Sequence, residues 1–152
     1  MKILVMSDSH GRDDKMERII SLHPRCDLYV FLGDGIRDAE RVFEKLSLPS
    51  FIAAGNCDWS SHGHVAEATL DLDGVKAVCC HGHTFGVKSG LGAYAEHAKQ
   101  KGASLALFGH THKQFEINLD GVVMFNPGAV CDGCFGLIYI EKGAVLCSHG
   151  NL

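Results

Sequence analysis

Positive charge is in short supply. The 152 residues carry 14 Lys and Arg against 18 Asp and Glu, a net charge of −4. Such a chain has no basic face with which to hold a nucleic-acid backbone by bulk charge. Long apolar runs are missing too: nothing approaches the ~18 consecutive residues of a membrane-spanning helix. Only about five apolar residues precede Asp8, too few for a secretory leader, so the expectation is a cytoplasmic protein with no membrane partner. Proline is sparse at three residues, and no Pro- or Ser-rich linker, low-complexity tract or internal repeat divides the chain. One domain over residues 1–152 is the consequence, long enough to bury a sizeable core. Paired cysteines are not implied either. Seven is an odd number, and their scatter argues for reduced thiols over a disulfide framework.

What the chain does have is an alternation of short apolar runs and amphipathic segments. Met16, Ile19, Ile20 and His23, then Ile36, Ala39, Val42, Phe43 and Leu46, then Leu91, Tyr94, Ala95 and Ala98 follow helical spacing. The apolar runs at 3–5, 28–31 and 51–53 make the first half read βαβαβ. From residue 67 the pattern turns to paired short strands around Asp73-Gly74, Asp120-Gly121 and Lys142-Gly143, the first two being strong hairpin signals. This second half reads as mostly antiparallel β, interrupted by a helix near 89–101 that Gly102 closes. The expected fold is α/β, a four-layer αββα sandwich of two mixed β-sheets packed face to face with helices outside.

Each of five apolar runs is followed by a His, Asp or Asn cluster: Asp8-Ser9-His10, Gly33-Asp34, Gly55-Asn56-Cys57-Asp58, His81-Gly82-His83 and Gly109-His110-Thr111-His112. In open α/β sheets the C-terminal strand ends collect the ligand site, so the five clusters are expected to converge. On extended backbone residues i and i+2 point the same way, and a two-residue step of ~6.5 Å lets one doublet serve two ions ~3.5–4 Å apart. Carboxylate, imidazole and amide ligands suit Mn²⁺, Fe, Co, Ni or Zn²⁺ better than a thiolate-rich structural zinc site would. Two divalent ions, two aspartates and a bridging hydroxide leave a formal charge of about +1, which suits a singly charged phosphodiester. Ordinary turn chemistry would explain Asp, Asn and Gly after strands; it does not call for four histidines.

In order and in distance from their strands, these motifs are similar to those of the calcineurin-like metallophosphoesterase superfamily, and most of all to its small YfcE-type phosphodiesterase branch. The resemblance runs from Met1 through Asn126-Pro127-Gly128. It implies one ion on Asp8, His10 and His112, a second on Asn56, His81 and His110, and Asp34 bridging them. Two divalent ions are thus expected, Mn²⁺ first and Ni²⁺, Fe²⁺, Co²⁺ or Zn²⁺ as alternatives. The implied catalytic set is Asp34, Asn56, Asp58 and His83, with Asp58 orienting the Asn56 region. Asn56, Cys57, His83 and Thr111 are expected against a small phosphodiester substrate, which a metal-bridging hydroxide would attack. For His83 a polar loop residue satisfied by backbone is the competing reading. Many superfamily members carry His where Cys57 stands. A neutral thiol is the poorer hydrogen-bond donor to phosphate, which points to diesters with good leaving groups. Ala129 stands where serine is common and receives no hydrogen-bonding role. The alternative functions are a protein-interaction scaffold of the retromer small-subunit type and a phosphomonoesterase.

The remaining signals have plainer readings. His23, His62, His64, His97 and His149 are expected on the surface or on helix faces, with 62–64 a solvated loop that overhangs the site. Trp59 either stacks on an aromatic leaving group or packs. Cys131-Asp132-Gly133-Cys134 lacks a second CxxC and reads as a loop, while Cys79, Cys80 and Cys147 read as small core residues. The charges from Arg37 to Lys45 read as the solvated face of a helix. A homodimer or higher oligomer is an expectation without an identified surface.

Overall fold

In the computed structural model, which describes residues 1–60 and 62–152, the first apolar run forms β1 (Lys2–Met6) at the middle of a five-stranded sheet. It is followed by α1 (Asp13–Leu22), β2 (Leu28–Phe31), α2 (Ile36–Leu46) and β3 (Ser50–Ile52). The parallel pairing β1–β2–β3 confirms the βαβαβ reading of the first half. After β4 (Glu67–Leu72) and β5 (Val75–Cys80), α3 (Gly92–Gln100) leads to β6 (Leu105–Leu107). The hairpins β7 (Gln114–Leu119) with β8 (Val122–Pro127) and β9 (Cys134–Glu141) with β10 (Ala144–Asn151) complete the chain.

The three expected turns close three hairpins. In each, both central residues have positive φ: 54° and 82° at Asp73-Gly74, 50° and 89° at Asp120-Gly121, 50° and 80° at Lys142-Gly143. That is the backbone of a type I′ turn, whose twist matches the strands it joins. The second half is nonetheless less antiparallel than its turns suggest. β5, β6 and β8 pair in parallel in the second sheet, ordered β4-β5-β6-β8-β7, because α3 and the β7 excursion act as crossovers. The last hairpin leaves that sheet altogether and joins the first, β9 running antiparallel to β1.

Alternation within the strands sorts the core into three layers. Ile3 and Val5 face Ala77, Cys79, Leu105 and Leu107 between the sheets, while Leu4 and Met6 face Met16, Ile19, Val42 and Phe43 of α1 and α2. Val78, Cys80 and Ala106 face Tyr94, Ala95 and Ala98 of α3. β1 from Ile3 and β5 from Ala77 are therefore buried on both faces, which is why those stretches read as unbroken apolar runs. The buried Tyr94 hydroxyl lies 2.8 Å from the carbonyls of both Val78 and Leu107, tying α3 to β5 and β6. Cys79 and Cys80 are buried, Cys147 is half-buried against the layer between the sheets, and all seven cysteines are free. Leu46, counted in the apolar stripe of α2, lies in its last turn and is exposed.

Candidate metal centre

Because β1, β2 and β3 run parallel in one sheet and β5 and β6 in the other, five strands end on the same rim and their following loops meet there. Close backbone approach makes this possible. A Cβ on Gly33, whose φ is +100°, would lie 2.6 Å from the Gly55 nitrogen, and a Cβ on Gly109 would strike the Ser7 hydroxyl. Glycine is thus the residue that lets Asp34 and His110 sit so near their neighbours.

The side chains are aimed by turns. Asp8, His10, Asp34, His110 and His112 all have φ between 45° and 66°. Outside these five, the positive-φ residues other than glycine among those described lie in hairpin turns, a helix cap and one loop. Non-glycine residues avoid this region, at a cost of ~1–3 kcal/mol each, and cluster there at functional sites. The expectation that pleated strand backbone presents the doublets is therefore corrected: β1 stops at Met6, β5 at Cys80 and β6 at Leu107, before the ligands begin. Turn backbone also divides the doublets differently. Asp8 and His10 share one cluster, whereas His110 and His112 go to two.

One cluster holds Asp8, His10 and His112; the other holds Asp34, His81 and His110. Asp8 Oδ1 lies 3.2 Å from His112 Nε2 and 3.8 Å from His10 Nε2, and the two rings approach at 3.3 Å between their Nε2 atoms. His81 Nε2 lies 3.3 Å from Asp34 Oδ2 and 3.8 Å from Asp8 Oδ1, so it faces both clusters. Asp34 also joins His10 and Cys57 in a third grouping. Its Oδ1 accepts the Cys57 N–H at 2.7 Å. Burial opposes charge on Asp34, but the His81 ring and the Cys57 amide outweigh it and hold the carboxyl below its usual range. Burial likewise opposes charge on His81, and Asp34 and Asp8 outweigh it, raising its pKa. His83 and His110 are shifted down, first by burial and then by His81. The Cys57 thiol, exposed but beside the Asp34 carboxylate, is pushed up to about 11 by that carboxylate first and by desolvation second.

This donor set fits divalent ions. His81 turns Nδ1 to the Leu32 carbonyl at 2.8 Å, which holds a proton there and leaves Nε2, the nitrogen that faces the carboxylates, to take a proton or a metal ion. Both His81 Nε2 and Asp8 Oδ1 are buried without a hydrogen-bond partner. Such atoms are costly unless something electropositive meets them.

Of the other expected residues, Asn56 is exposed and its amide N–H reaches the Cys57 sulfur at 3.3 Å. His83 sits in a short 3₁₀ turn, its ring 5.5 Å from His81 and 6.2 Å from His110, with a buried, unpartnered Nδ1. The Thr111 hydroxyl accepts from Asn126 Nδ2 at 3.0 Å and from the Lys113 amide at 3.3 Å. Asp58 does more than orient Asn56. Its carboxylate accepts the N–H groups of Asp34, Gly35, Ile36 and Gly55 at 2.8–3.0 Å, clamping two loops and the start of α2.

Several structural roles were not read from the sequence. Asp38 is buried, against the expectation of a solvated face: its carboxylate takes the Ser9 hydroxyl at 2.7 Å and the Gly11 amide at 2.8 Å, and so holds the first ligand loop. Asn126 is buried and braces the Gly109–Thr111 loop through Gly109 O at 2.7 Å. His62 and His64 grip the two oxygens of Glu40 on α2 at 2.9 and 3.0 Å, so the loop expected to be merely solvated is anchored. His97 pairs with Glu67 at 2.8 Å, and His149 stacks on Phe125 at 4.6 Å. Cys131, expected in a plain loop, groups with Asp132 and His112. His62-Gly63-His64 and the Asn126-Pro127-Gly128 turn, both short motifs of the sequence, were the available signals; Asp38 had none.

The profile of the calcineurin-like phosphoesterase superfamily domain matches residues 1–143. A probable metallophosphoesterase, YsnB, of Bacillus subtilis is 32% identical over 131 residues, 86% of this chain and 75% of that protein. Among solved structures, a conserved uncharacterized protein from Streptococcus pneumoniae, a predicted phosphoesterase, superposes with a TM-score of 0.85 at 22% identity, over 99% of this chain and 88% of that one. A novel archaeal phosphodiesterase gives 0.77 at 20% identity, over 98% and 99%. Vps29 from Entamoeba histolytica, solved with Zn²⁺, gives 0.75 at 19% identity, over 99% of both chains. These three likenesses speak for the fold.

Proposed function

The chain belongs to the calcineurin-like phosphoesterase superfamily, and from that membership we propose that it is a phosphodiesterase working with two divalent metal ions. The observation that carries this reading is the pair of facing clusters with two buried, unpartnered ligand atoms, His81 Nε2 and Asp8 Oδ1, between them. Asp8, His10 and His112 would hold one ion, and His81 and His110 the other with Asn56. Asp34, whose oxygens face in two directions, is suited to bridge. When bound, the ions supply Lewis acidity at the phosphoryl oxygens and make water acidic enough to act as a nucleophile near neutral pH.

The protein's own groups do the rest. Asp58 fixes the Asp34 backbone through the Asp34 and Gly35 N–H groups, and the Cys57 amide holds one oxygen of the Asp34 carboxylate. His83, with an unpartnered ring nitrogen beside the second cluster, is placed to meet a phosphoryl or leaving-group oxygen. Cys57 supplies a weak donor where imidazole would supply a strong one, which favours esters whose leaving groups need little protonation. The archaeal phosphodiesterase of the same fold supports the diester reading. The metal's identity is best sought among Mn²⁺, Ni²⁺, Fe²⁺, Co²⁺ and Zn²⁺.

The test uses metal-stripped protein refilled with each ion, assayed on bis(4-nitrophenyl) phosphate and 4-nitrophenyl phosphate. The diester should be hydrolysed faster. Equal or faster monoester hydrolysis would make the protein a phosphomonoesterase, and inactivity with every ion would leave a binding platform. Asp34→Asn should lower bound metal from two ions per chain to one or none; retention of two would show that Asp34 is not the bridge.

A further inference from the structure

A cleft of about 370 Å³ opens beside the centre and is lined both by its His10, Asp34 and Cys57 and by Arg37, Trp59 and His62. That volume lies within the ~300–1,000 Å³ of small-molecule sites. Trp59 is 103% exposed, so the packing reading of this residue is excluded. A wholly exposed tryptophan forgoes a large burial gain, which is unusual without a ligand to cover it. Nor does it ride on an unanchored segment. Asp58, its neighbour, is bonded to four backbone amides, and His62 and His64 fasten the far side of the loop to Glu40. Arg37 stands on the first turn of α2, exposed, and among the described residues its guanidinium makes no ion pair or hydrogen bond, unlike Arg41, which pairs with Asp13 at 2.7 Å.

An open aromatic plane and an unpaired guanidinium in the cleft that also contains Asp34 define what would fill it. Aromatic planes take other rings, and guanidinium takes phosphate or carboxylate oxygens. We propose that this cleft is a subsite for a nucleotide-like substituent of the phosphodiester, with the base stacked on Trp59 and a phosphate oxygen on Arg37. The proposal rests on the phosphodiesterase reading for its scissile bond, though not for its binding.

Trp59 is the only tryptophan, so its emission reports the subsite directly. Metal-refilled protein is titrated with AMP, ribose 5-phosphate and inorganic phosphate, with excitation confined to tryptophan. AMP should quench Trp59 saturably and ribose 5-phosphate should not, and Arg37→Ala should weaken the AMP response several-fold. In parallel, kcat/KM is measured for thymidine 5′-(4-nitrophenyl) phosphate and methyl 4-nitrophenyl phosphate, which share a leaving group. Trp59→Ala should lower the thymidine-to-methyl ratio about tenfold, the usual order for loss of one base–aromatic stack, and Trp59→Phe should restore most of it. The proposal is overturned if AMP and ribose 5-phosphate quench alike or if the ratio is unmoved by Trp59→Ala. Hydrolysis of neither ester, with AMP quenching intact, would instead overturn the phosphodiesterase reading and leave the subsite standing.

Discussion

Asp58 shows how much one carboxylate can organise. It accepts four N–H groups from two loops, and one of those loops carries Asp34. Hydrogen bonds to a charged acceptor contribute ~1.5–3 kcal/mol each, and a buried amide left without a partner costs ~1–3 kcal/mol. In Asp58→Asn one oxygen becomes an NH₂ group, which cannot accept and faces donors. We expect a loss of about 2–4 kcal/mol in denaturant unfolding, together with weaker metal retention because Asp34 loses its support. Unchanged stability would show that water replaces the carboxylate. The residue's importance was legible from its place in Gly55-Asn56-Cys57-Asp58, but its partners were not. Ligand types at strand ends are local signals, whereas Asp38 reaching Ser9 and Asn126 reaching Gly109 depend on contacts 29 and 17 residues apart in the chain.

At the scale of elements, the far side of the loop that follows β3 is held to α2 through Glu40. Two histidines grip its two oxygens, and the His62 hydrogen bond, opposed by partial burial and aided by His64, keeps the Glu40 carboxyl below its ordinary value. A depressed folded pKa means that the clasp contributes above the ordinary glutamate range and is lost as pH falls through the folded value. Trp59 emission anisotropy should therefore stay level from neutral pH down through the ordinary glutamate range and drop only below it, while Glu40→Gln should start lower and show less of that drop. Identical profiles for the two proteins would mean that Glu40 does not hold the loop. The helices and hairpins were legible because period and turn chemistry are local; the clasp was not, since His62 and His64 look solvated until α2 lies beside them. The same holds for the β9–β10 hairpin. Its turn was legible at Lys142-Gly143, but its pairing with β1 joins the two ends of the chain, which no local signal reports.

The whole molecule is two sheets, and the candidate centre lies across their shared rim. Asp8, His10 and Asp34 follow strands of the first sheet; His81, His110 and His112 follow strands of the second. Asp8 and Asp34 share a single buried imidazole at 3.8 and 3.3 Å, and both a carboxylate oxygen and a ring nitrogen lack a hydrogen-bond partner. Positive ions there would offset the repulsion of two buried carboxylates and join the sheets at once. A ligand that binds only the folded state stabilises it by ~2.7 kcal/mol at a concentration of 100 Kd. With ~2–4 °C per kcal/mol for a domain of this size, refilling one site should raise the melting temperature by about 5–10 °C, and both sites by more. Calorimetry of stripped and Mn²⁺-refilled protein measures this, with Asp34→Asn as the comparison. The variant loses the charge that faces His81 and that the fold favours, so its stripped form should melt somewhat lower than stripped wild type, and refilling should shift it by less than half as much. An equal shift in both proteins would place the ions elsewhere, and no shift in wild type would show that the two sheets are joined by their apolar layer alone.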